Sequence, residues 1–420
     1  MEYPAKPRTR RSSAVLMGTA VICLLIGGTL GFAVSSLTTS SRISDLQGHV
    51  TTLEKQVSDL QSAQDSSSEN ITYENATIEN VTYILGQNFS LSKLYEQVKG
   101  SVVVVEGIIV EYDFFGRPYY SEVQGSGFVC NSTGRFVIIT NYHVVDGATN
   151  VTVTFIDGDT YVANVIGSDP YADLAVLSSN ASQDEYEALT VTSSSALGVG
   201  DPVIAVGTPY GLAGTVTSGI VSALGRTITE STAGGYVIAD CIQTTTPINL
   251  GNSGGPLLNY QGEVVGMTTA IVSSSQGLGF AIPSNTILRE ISSLIEEGSY
   301  DQHPWSGASG IDMTFALARV MNINVTYGWL ITQVTSGGPA DEAGLRGGTA
   351  QAQVEGTLVT IGGDVVIAVN GTRITNTDDI LTYLEEYTSL GQTINVTVVR
   401  GSQTLKVAVK LGVLPLQSTS

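Results

Sequence analysis

Apolar and polar positions change period several times along the chain, and each change predicts a different element. Ala14 to Val34 (AVLMGTAVICLLIGGTLGFAV) contains no charge, and roughly 21 such residues suffice to cross a bilayer as a helix. Ile43, Leu46, Val50, Leu53, Val57 and Leu60 then alternate spacings of three and four, which is the a/d seam of a short coiled coil over 39–64. A single amphipathic stalk helix is the alternative reading of that seam. Residues 65–88 turn polar and read as a solvated linker.

From Phe89 the period shortens. A brief helical pattern (SLSKLYEQV) leads into β-branched runs such as SVVVVEGIIV, RFVIIT, VTVTFI, PVIAVG and EVVGMTTAIV, divided by Gly, Asn, Asp and Pro. Such runs predict an all-β barrel or sandwich. A helix from Ser284 to Glu297, with Ile287, Leu288, Ile291, Leu294 and Ile295 on one face, closes a unit spanning 89–298. After the linker GSYDQHP, residues 305–415 mix strands with two helical patterns, GPADEAGL and TNTDDILTYLEEY, and Asn370-Gly371 predicts a two-residue hairpin. That describes a small α+β domain.

Composition narrows the function. Only 13% of the 420 residues are charged and the formal net charge is −20, so polyanions are repelled and nucleic acid is excluded as a partner. Lys6, Arg8, Arg10 and Arg11 precede the apolar span and should stay cytoplasmic, placing 1–38 as a basic tail and signal anchor. A cleaved signal peptide is the rival, although its apolar region is usually about 7–15 residues. Ten asparagines head N-x-[ST] sequons (Asn70, Asn75, Asn80, Asn88, Asn131, Asn150, Asn180, Asn324, Asn370 and Asn395), which agrees with an extracytoplasmic location. Cys23, Cys130 and Cys241 and the histidines His49, His143 and His303 lack close metal-ligand spacings, so neither a structural metal nor a cofactor is expected. Cys130 and Cys241 would face an oxidising compartment, where a disulfide between them and two free buried thiols are both open readings.

The chemistry centres on Gly251-Asn252-Ser253-Gly254-Gly255, a G-x-S-x-G serine. An α/β-hydrolase would place a helix after it and a histidine downstream, but Pro256 and the strand-like EVVGMTTAIV follow instead. The order His143, Asp173, Ser253, each in a strand-rich context, fits the trypsin arrangement. There Ser253 attacks, His143 moves the proton, Asp173 orients the imidazole, and the N–H groups of Gly251 and Ser253 bind the oxyanion.

TNYHVV, DPYADLAVL, GNSGGPL and GLGFAIPS resemble the motifs of the HtrA/Deg family of trypsin-like serine proteases, and GWLITQVTSGGPADEAGL with GDVVIAVNGTRI resembles its PDZ domain. The resemblance spans roughly residues 89 to 413. It implies a double β-barrel protease followed by a PDZ domain, ATP-independent cleavage of unfolded or misfolded proteins, and homo-oligomers, typically trimers. By the same resemblance Ile248 and Ile271 line an apolar specificity pocket, and Tyr327-Gly328-Trp329-Leu330 matches the peptide-binding stretch. Two other functions share these motifs: a peptide-binding chaperone with weak protease activity, and a regulatory protease dedicated to one membrane protein. The chain departs from the family at Tyr142, where Asn is usual, in QTTTPIN (243–249), where an aspartate is usual, and in the insert 349–361.

Overall fold

The computed structural model describes residues 90–113, 115–208, 214–229, 235–249, 251–269 and 278–415, with Lys55 apart from them. The expected membrane span, heptad seam and linker lie outside the described residues, as do Cys23, His49, Ile271 and the sequons Asn70, Asn75, Asn80 and Asn88. Among the described residues no helix is long and apolar enough to cross a membrane.

Helix α1 (Leu91–Val98) starts at Ser90, whose Oγ accepts from Lys93 N, and buries Leu94 and Val98. Strands β1 (Val102–Tyr112), β2 (Pro118–Ser132), β3 (Arg135–Thr140), β4 (Ala148–Thr154), β5 (Thr160–Asp169) and β6 (Leu174–Ser179) close a barrel in the order β1-β2-β3-β6-β5-β4. Strands β7 (Pro202–Gly207), β8 (Thr215–Thr229), β9 (Val237–Thr244), β10 (Pro256–Leu258), β11 (Val264–Thr269) and β12 (Gly279–Pro283) close a second, ordered β10-β11-β12-β9-β8-β7. Both barrels answer the barrel-or-sandwich expectation.

The unbroken apolar runs have a physical reason. Val103, Val105 and Ile138 fill the first barrel, while Val102, Val137 and Ile139 point the other way, into a core shared with the second barrel. Successive strand residues face opposite sides, and here both sides are buried. The shared core also takes Ile204, Val206, Leu258 and Met267 from the second barrel, whose own interior holds Val203, Ala205, Val221, Ile242 and Leu257. A four-residue helix, α2 (Tyr142–Val145), follows β3. Helix α3 (Ser284–Glu296) buries Ile287, Ile291, Leu294 and Ile295 in the shared core, at about 2 kcal/mol per side chain. Its approach leaves room only for hydrogen at Gly167, where a Cβ would collide with the Leu294 carbonyl.

The C-terminal unit contains β13 (Pro304–Trp305), β14 (Ala308–Asp312), β15 (Trp329–Val334), β16 (Ala350–Val354), β17 (Thr357–Ile361), β18 (Val365–Val369), β19 (Thr372–Arg373), β20 (Thr393–Arg400), β21 (Gln403–Lys410) and β22 (Gly412–Val413). Its main sheet runs β14-β15-β18-β20-β21, with β19 on β18, and β13 pairs with β22. Three helices accompany it: α4 (Phe315–Met321), α5 (Pro339–Glu342) and α6 (Thr377–Tyr387). The first was not expected from the pattern. Its caps are nonetheless regular, with Thr314 Oγ1 accepting from Leu317 N and Asn322 left-handed at φ 52°. The insert 349–361 is the hairpin β16–β17, and its Val354 roofs a satellite core with Leu317, Leu330 and Val365.

Helix α6 rests on β8 and β9. Arg226 Nη1 lies 3.0 Å from Asp378 Oδ2, Thr227 N donates to Asp378 Oδ1 at 2.9 Å, and Arg289 Nη2 lies 2.6 Å from Glu385 Oε1. Cys130 and Cys241 are buried free thiols, and burial pushes the Cys130 thiol up to about 12.

Candidate active site

His143 stands on α2, directly after β3, because Asn141 ends the strand in an extended conformation and turns the chain into the helix. The buried Asn141 side chain donates through Nδ2 to the Asp173 carbonyl at 3.0 Å. Asp173 sits in the β5–β6 turn with a left-handed φ of 49°, a conformation that Asp tolerates better than most residues. Its carboxylate is 1% exposed and fully engaged. His143 Nδ1 lies 2.9 Å from Oδ2 and 3.0 Å from Oδ1, His143 N donates to Oδ1 at 3.0 Å, and Thr269 Oγ1 donates to Oδ2 at 3.1 Å. Burying a carboxylate is tolerable only with such compensation. Nδ1 facing the carboxylate fixes which ring nitrogen carries the proton in the neutral imidazole.

Ser253 lies in the turn before β10, held from two barrels. Ser126 N of β2 donates to the Ser253 carbonyl at 2.7 Å, and Ser126 Oγ donates to the Gly251 carbonyl at 2.6 Å while accepting from Thr208 N at 2.9 Å. Thr268 Oγ1 donates to the Asn252 carbonyl at 2.6 Å. Gly251 adopts φ 94° and Gly254 φ 85°, a region favoured by glycine. A Cβ at Gly254 would strike the Ser126 carbonyl and Thr140 Oγ1. Gly125 joins the halves of the site. A Cβ there would stand 2.7 Å from Val144 Cγ2, next to His143, and 3.1 Å from the Ser253 carbonyl. The α2 helix and the serine turn therefore flank one glycine.

The two departures near the site are structurally satisfied. Tyr142 donates through its hydroxyl to Asp146 Oδ1 at 2.6 Å, and burial followed by that bond raises its pKa. In QTTTPIN, Thr245 Oγ1 accepts from Ile220 N at 3.0 Å, Thr244 Oγ1 donates to the Ile220 carbonyl at 2.8 Å, and Thr217 Oγ1 holds the Pro247 carbonyl at 3.1 Å. The loop is thus pinned to β8. Ile248 packs against the second barrel's interior, while Ile271 lies outside the described residues. Sequence reasoning singled out His143, Asp173 and Ser253 but missed Ser126 and Thr269. Both occupy ordinary strand positions, and nothing local distinguishes them from other barrel hydroxyls.

The stretch Tyr327-Gly328-Trp329-Leu330 is not placed for strand addition, which corrects the expectation. Trp329 and Leu330 are 5% and 0% exposed on β15, and β15 is already paired with β14 on one side and β18 on the other. Tyr327 stacks under Arg373, with the guanidinium carbon 4.2 Å from the ring centroid. Strand addition needs a free edge, and β14 ends the sheet order. Beside β14 runs a cleft of about 560 Å³, lined by Trp305, Ser306, Ala308, Trp329, Leu381 and Leu384 and walled by residues of the second barrel. The buried Trp329 Nε1 has no hydrogen-bond partner among the described residues.

At the wall of the same cleft, the imidazole of His303 is buried between two carboxylates. Nε2 lies 2.7 Å from Asp169 Oδ2 and Nδ1 3.1 Å from Glu385 Oε1. Burial alone would lower its pKa, but bonds to Asp169 and Glu385 outweigh it and raise the value to about 10.

Comparison with known proteins agrees with this geometry. Residues 125–267 match the family "Trypsin-like peptidase domain" and residues 312–411 the family "PDZ domain". The chain is 36% identical over 331 residues to "Protease Do-like 1, chloroplastic" of Arabidopsis thaliana, covering 78% of this chain and 72% of that protein. It is 39% identical over 311 residues to "Probable periplasmic serine endoprotease DegP-like" of Hahella chejuensis, covering 72% of this chain but only 61% of that protein. Among solved structures, "HtrA-type protease AlgW with decapeptide" superposes with a TM-score of 0.58 at 29% identity, over 78% of this chain and 99% of that one. The two closed barrels and the following PDZ unit accord with both family matches, and with 36% identity over 72% of a Do-like protease the chain belongs to the HtrA/Deg family of trypsin-like serine endopeptidases with a C-terminal PDZ domain.

Proposed function

We propose that the protein is a membrane-anchored, outward-facing, ATP-independent endopeptidase of protein quality control, with His143, Asp173 and Ser253 as its triad. The observation that carries this reading is the His143–Asp173 pair, with Nδ1 2.9 Å from a buried carboxylate and the serine turn packed against the same glycine as α2. With its proton on Nδ1, the neutral ring offers the Nε2 lone pair as the base. Ser253 Oγ attacks the scissile carbonyl as His143 Nε2 takes its proton, and the tetrahedral oxyanion forms against the N–H groups of Gly251 and Ser253. His143 then protonates the departing amine, leaving an acyl-serine that water cleaves by the same route in reverse. Asp173 stabilises the imidazolium formed in each half-reaction.

Ile248, with Ile271, makes the specificity pocket apolar, so an aliphatic residue is preferred before the scissile bond; a buried Lys or Arg there would lack a counter-charge. Peptides or exposed C-termini add to the β14 edge beside α6, where Trp329 and Leu384 supply an apolar floor. This replaces the Tyr327–Leu330 site. The relatives' periplasmic description supports an extracytoplasmic location, and the six sequon asparagines among the described residues, Asn131, Asn150, Asn180, Asn324, Asn370 and Asn395, are all exposed. Family resemblance supports a homo-oligomer, with a trimer as the working assembly. The test is hydrolysis of casein by the full-length chain beside Ser253→Ala. Cleavage present in the wild type and absent in the variant supports the reading, whereas equal cleavage, or suppression of client aggregation with no cleavage by either, overturns it.

A further inference from the structure

Three ionisable side chains from separate segments converge beneath the junction of the barrels and the PDZ unit. Asp169 ends β5, Glu290 lies in the middle of α3, and His303 immediately precedes β13; one ligand atom from each lies within 4.8 Å of the others. All three are buried, at 1%, 0% and 5% exposure. Glu290 Oε1 accepts from Arg289 Nη2 at 2.7 Å, but Oε2, in the interior, meets no donor among the described residues. A buried carboxylate oxygen needs a donor or a cation. The group beside it is the Asp169 carboxylate, and burial together with that neighbour pushes the Glu290 carboxyl well above the ordinary glutamate range, so the pair shares a proton unless a cation takes its place.

The remaining partners define what fits. Asp169 Oδ1 already accepts from Tyr171 N at 2.9 Å, which orients Oδ2 toward His303 Nε2. On the far side of the ring, Nδ1 is backed by the Glu385 carboxylate at 3.1 Å. An imidazole with one nitrogen held by a carboxylate and the other turned to oxygen ligands is the outer-sphere pattern of a metal-bound histidine. Tyr171 and Tyr300 wall the ring, with centroids 5.6 and 5.0 Å from it.

We infer that Asp169 Oδ2, Glu290 Oε2 and His303 Nε2 form a binding site for a divalent transition-metal ion of the Zn²⁺ type, with Glu385 as the outer carboxylate on His303. One imidazole and two carboxylates suit Zn²⁺, at about 2.0–2.2 Å per ligand, with water completing a tetrahedron. That geometry needs Asp169 Oδ2 and His303 Nε2 to separate from 2.7 Å to roughly 3.3 Å, the edge of such a tetrahedron. The ion would tie barrel, closing helix, linker and PDZ unit at one point. The absence of close sequence spacing is no obstacle, because the three ligands come from segments far apart in the chain.

The test is equilibrium dialysis of the metal-stripped full-length chain against Zn²⁺, with thermal unfolding in parallel. The expected result is one tightly bound Zn²⁺ per chain and a higher unfolding midpoint with the ion. Glu290→Gln should weaken binding at least 100-fold, and Glu385→Gln, which leaves all three ligands in place, about 10- to 100-fold. The exposed cluster of Asp157, Asp159 and Glu185 serves as control, and Asp159→Asn should change nothing. Absence of stoichiometric binding by the wild type overturns the proposal. So does Zn²⁺ that survives both Glu290→Gln and Glu385→Gln, or is lost in Asp159→Asn.

Discussion

Two histidine–carboxylate pairs, His143–Asp173 and His303–Asp169, hang from one turn, since Asp169 and Asp173 flank the loop between β5 and β6. At His143 a single carboxylate grips a single ring nitrogen, and the same carboxylate also takes the His143 backbone N–H and the Thr269 hydroxyl. At His303 separate carboxylates take both nitrogens, one from the barrel and one from α6. An imidazole clamped between two carboxylates is a strut, whereas the carboxylate on His143 Nδ1 orients a ring in the catalytic crevice. Equal residue types thus acquire different roles from the carboxylates packed around the ring.

The strongest way to break this contrast is at the first pair. Ser253→Ala or His143→Ala should lower kcat for casein by about 10⁶, and Asp173→Asn by about 10⁴, since the ring would be left in the wrong tautomer. Steady-state assays with active-site titration check both. At the second pair, His303→Ala leaves Asp169 and Glu385 without their shared partner, and should cost about 3–5 kcal/mol in denaturant unfolding. A loss below about 1 kcal/mol would remove its role as a strut. Thr269→Val removes one donor to Asp173 and should reduce kcat about tenfold, roughly 1.4 kcal/mol, with KM little changed.

The smallest effect sharpens the contrast through pH. Asp240, in the crevice between β9 and α6, has its pKa raised from 3.8 to about 7 by burial, then by repulsion from Glu386, against attraction to Arg289. The folded state therefore holds a proton that the unfolded state releases. Stability is fully present below about pH 4 and is lost as pH rises from there to about 7. Asp240→Asn, which suits the left-handed φ of 61°, should thus gain about 1 kcal/mol over the wild type at pH 8 and nothing at pH 4. Urea unfolding of both proteins at the two pH values decides it.

Much of the fold was legible because its signals are local. The apolar face of Ser284–Glu296 and the β-branched runs declare themselves within a few residues, and both became elements at nearly the expected bounds. Helix α4 was overlooked although Thr314 and Asn322 cap it, because its seven residues are too few for a clear period. The Tyr327–Leu330 error has another cause. Whether a strand is an edge or an interior member depends on its neighbours, and a strand's own sequence is nearly silent on that when both faces are buried.

By itself, the sequence determined the order of the units and the barrel-forming strands, and it singled out His143, Asp173 and Ser253 as candidates, because periodicity and glycine-rich turn chemistry are carried by contiguous residues. Only the tertiary structure decided which carboxylate each histidine meets, that Ser126 and Thr269 brace the site, and that β14 rather than β15 is the open edge. Those outcomes depend on distances between segments up to 134 residues apart, such as His303 and Asp169, and such distances are set by packing, not by any pattern within either segment.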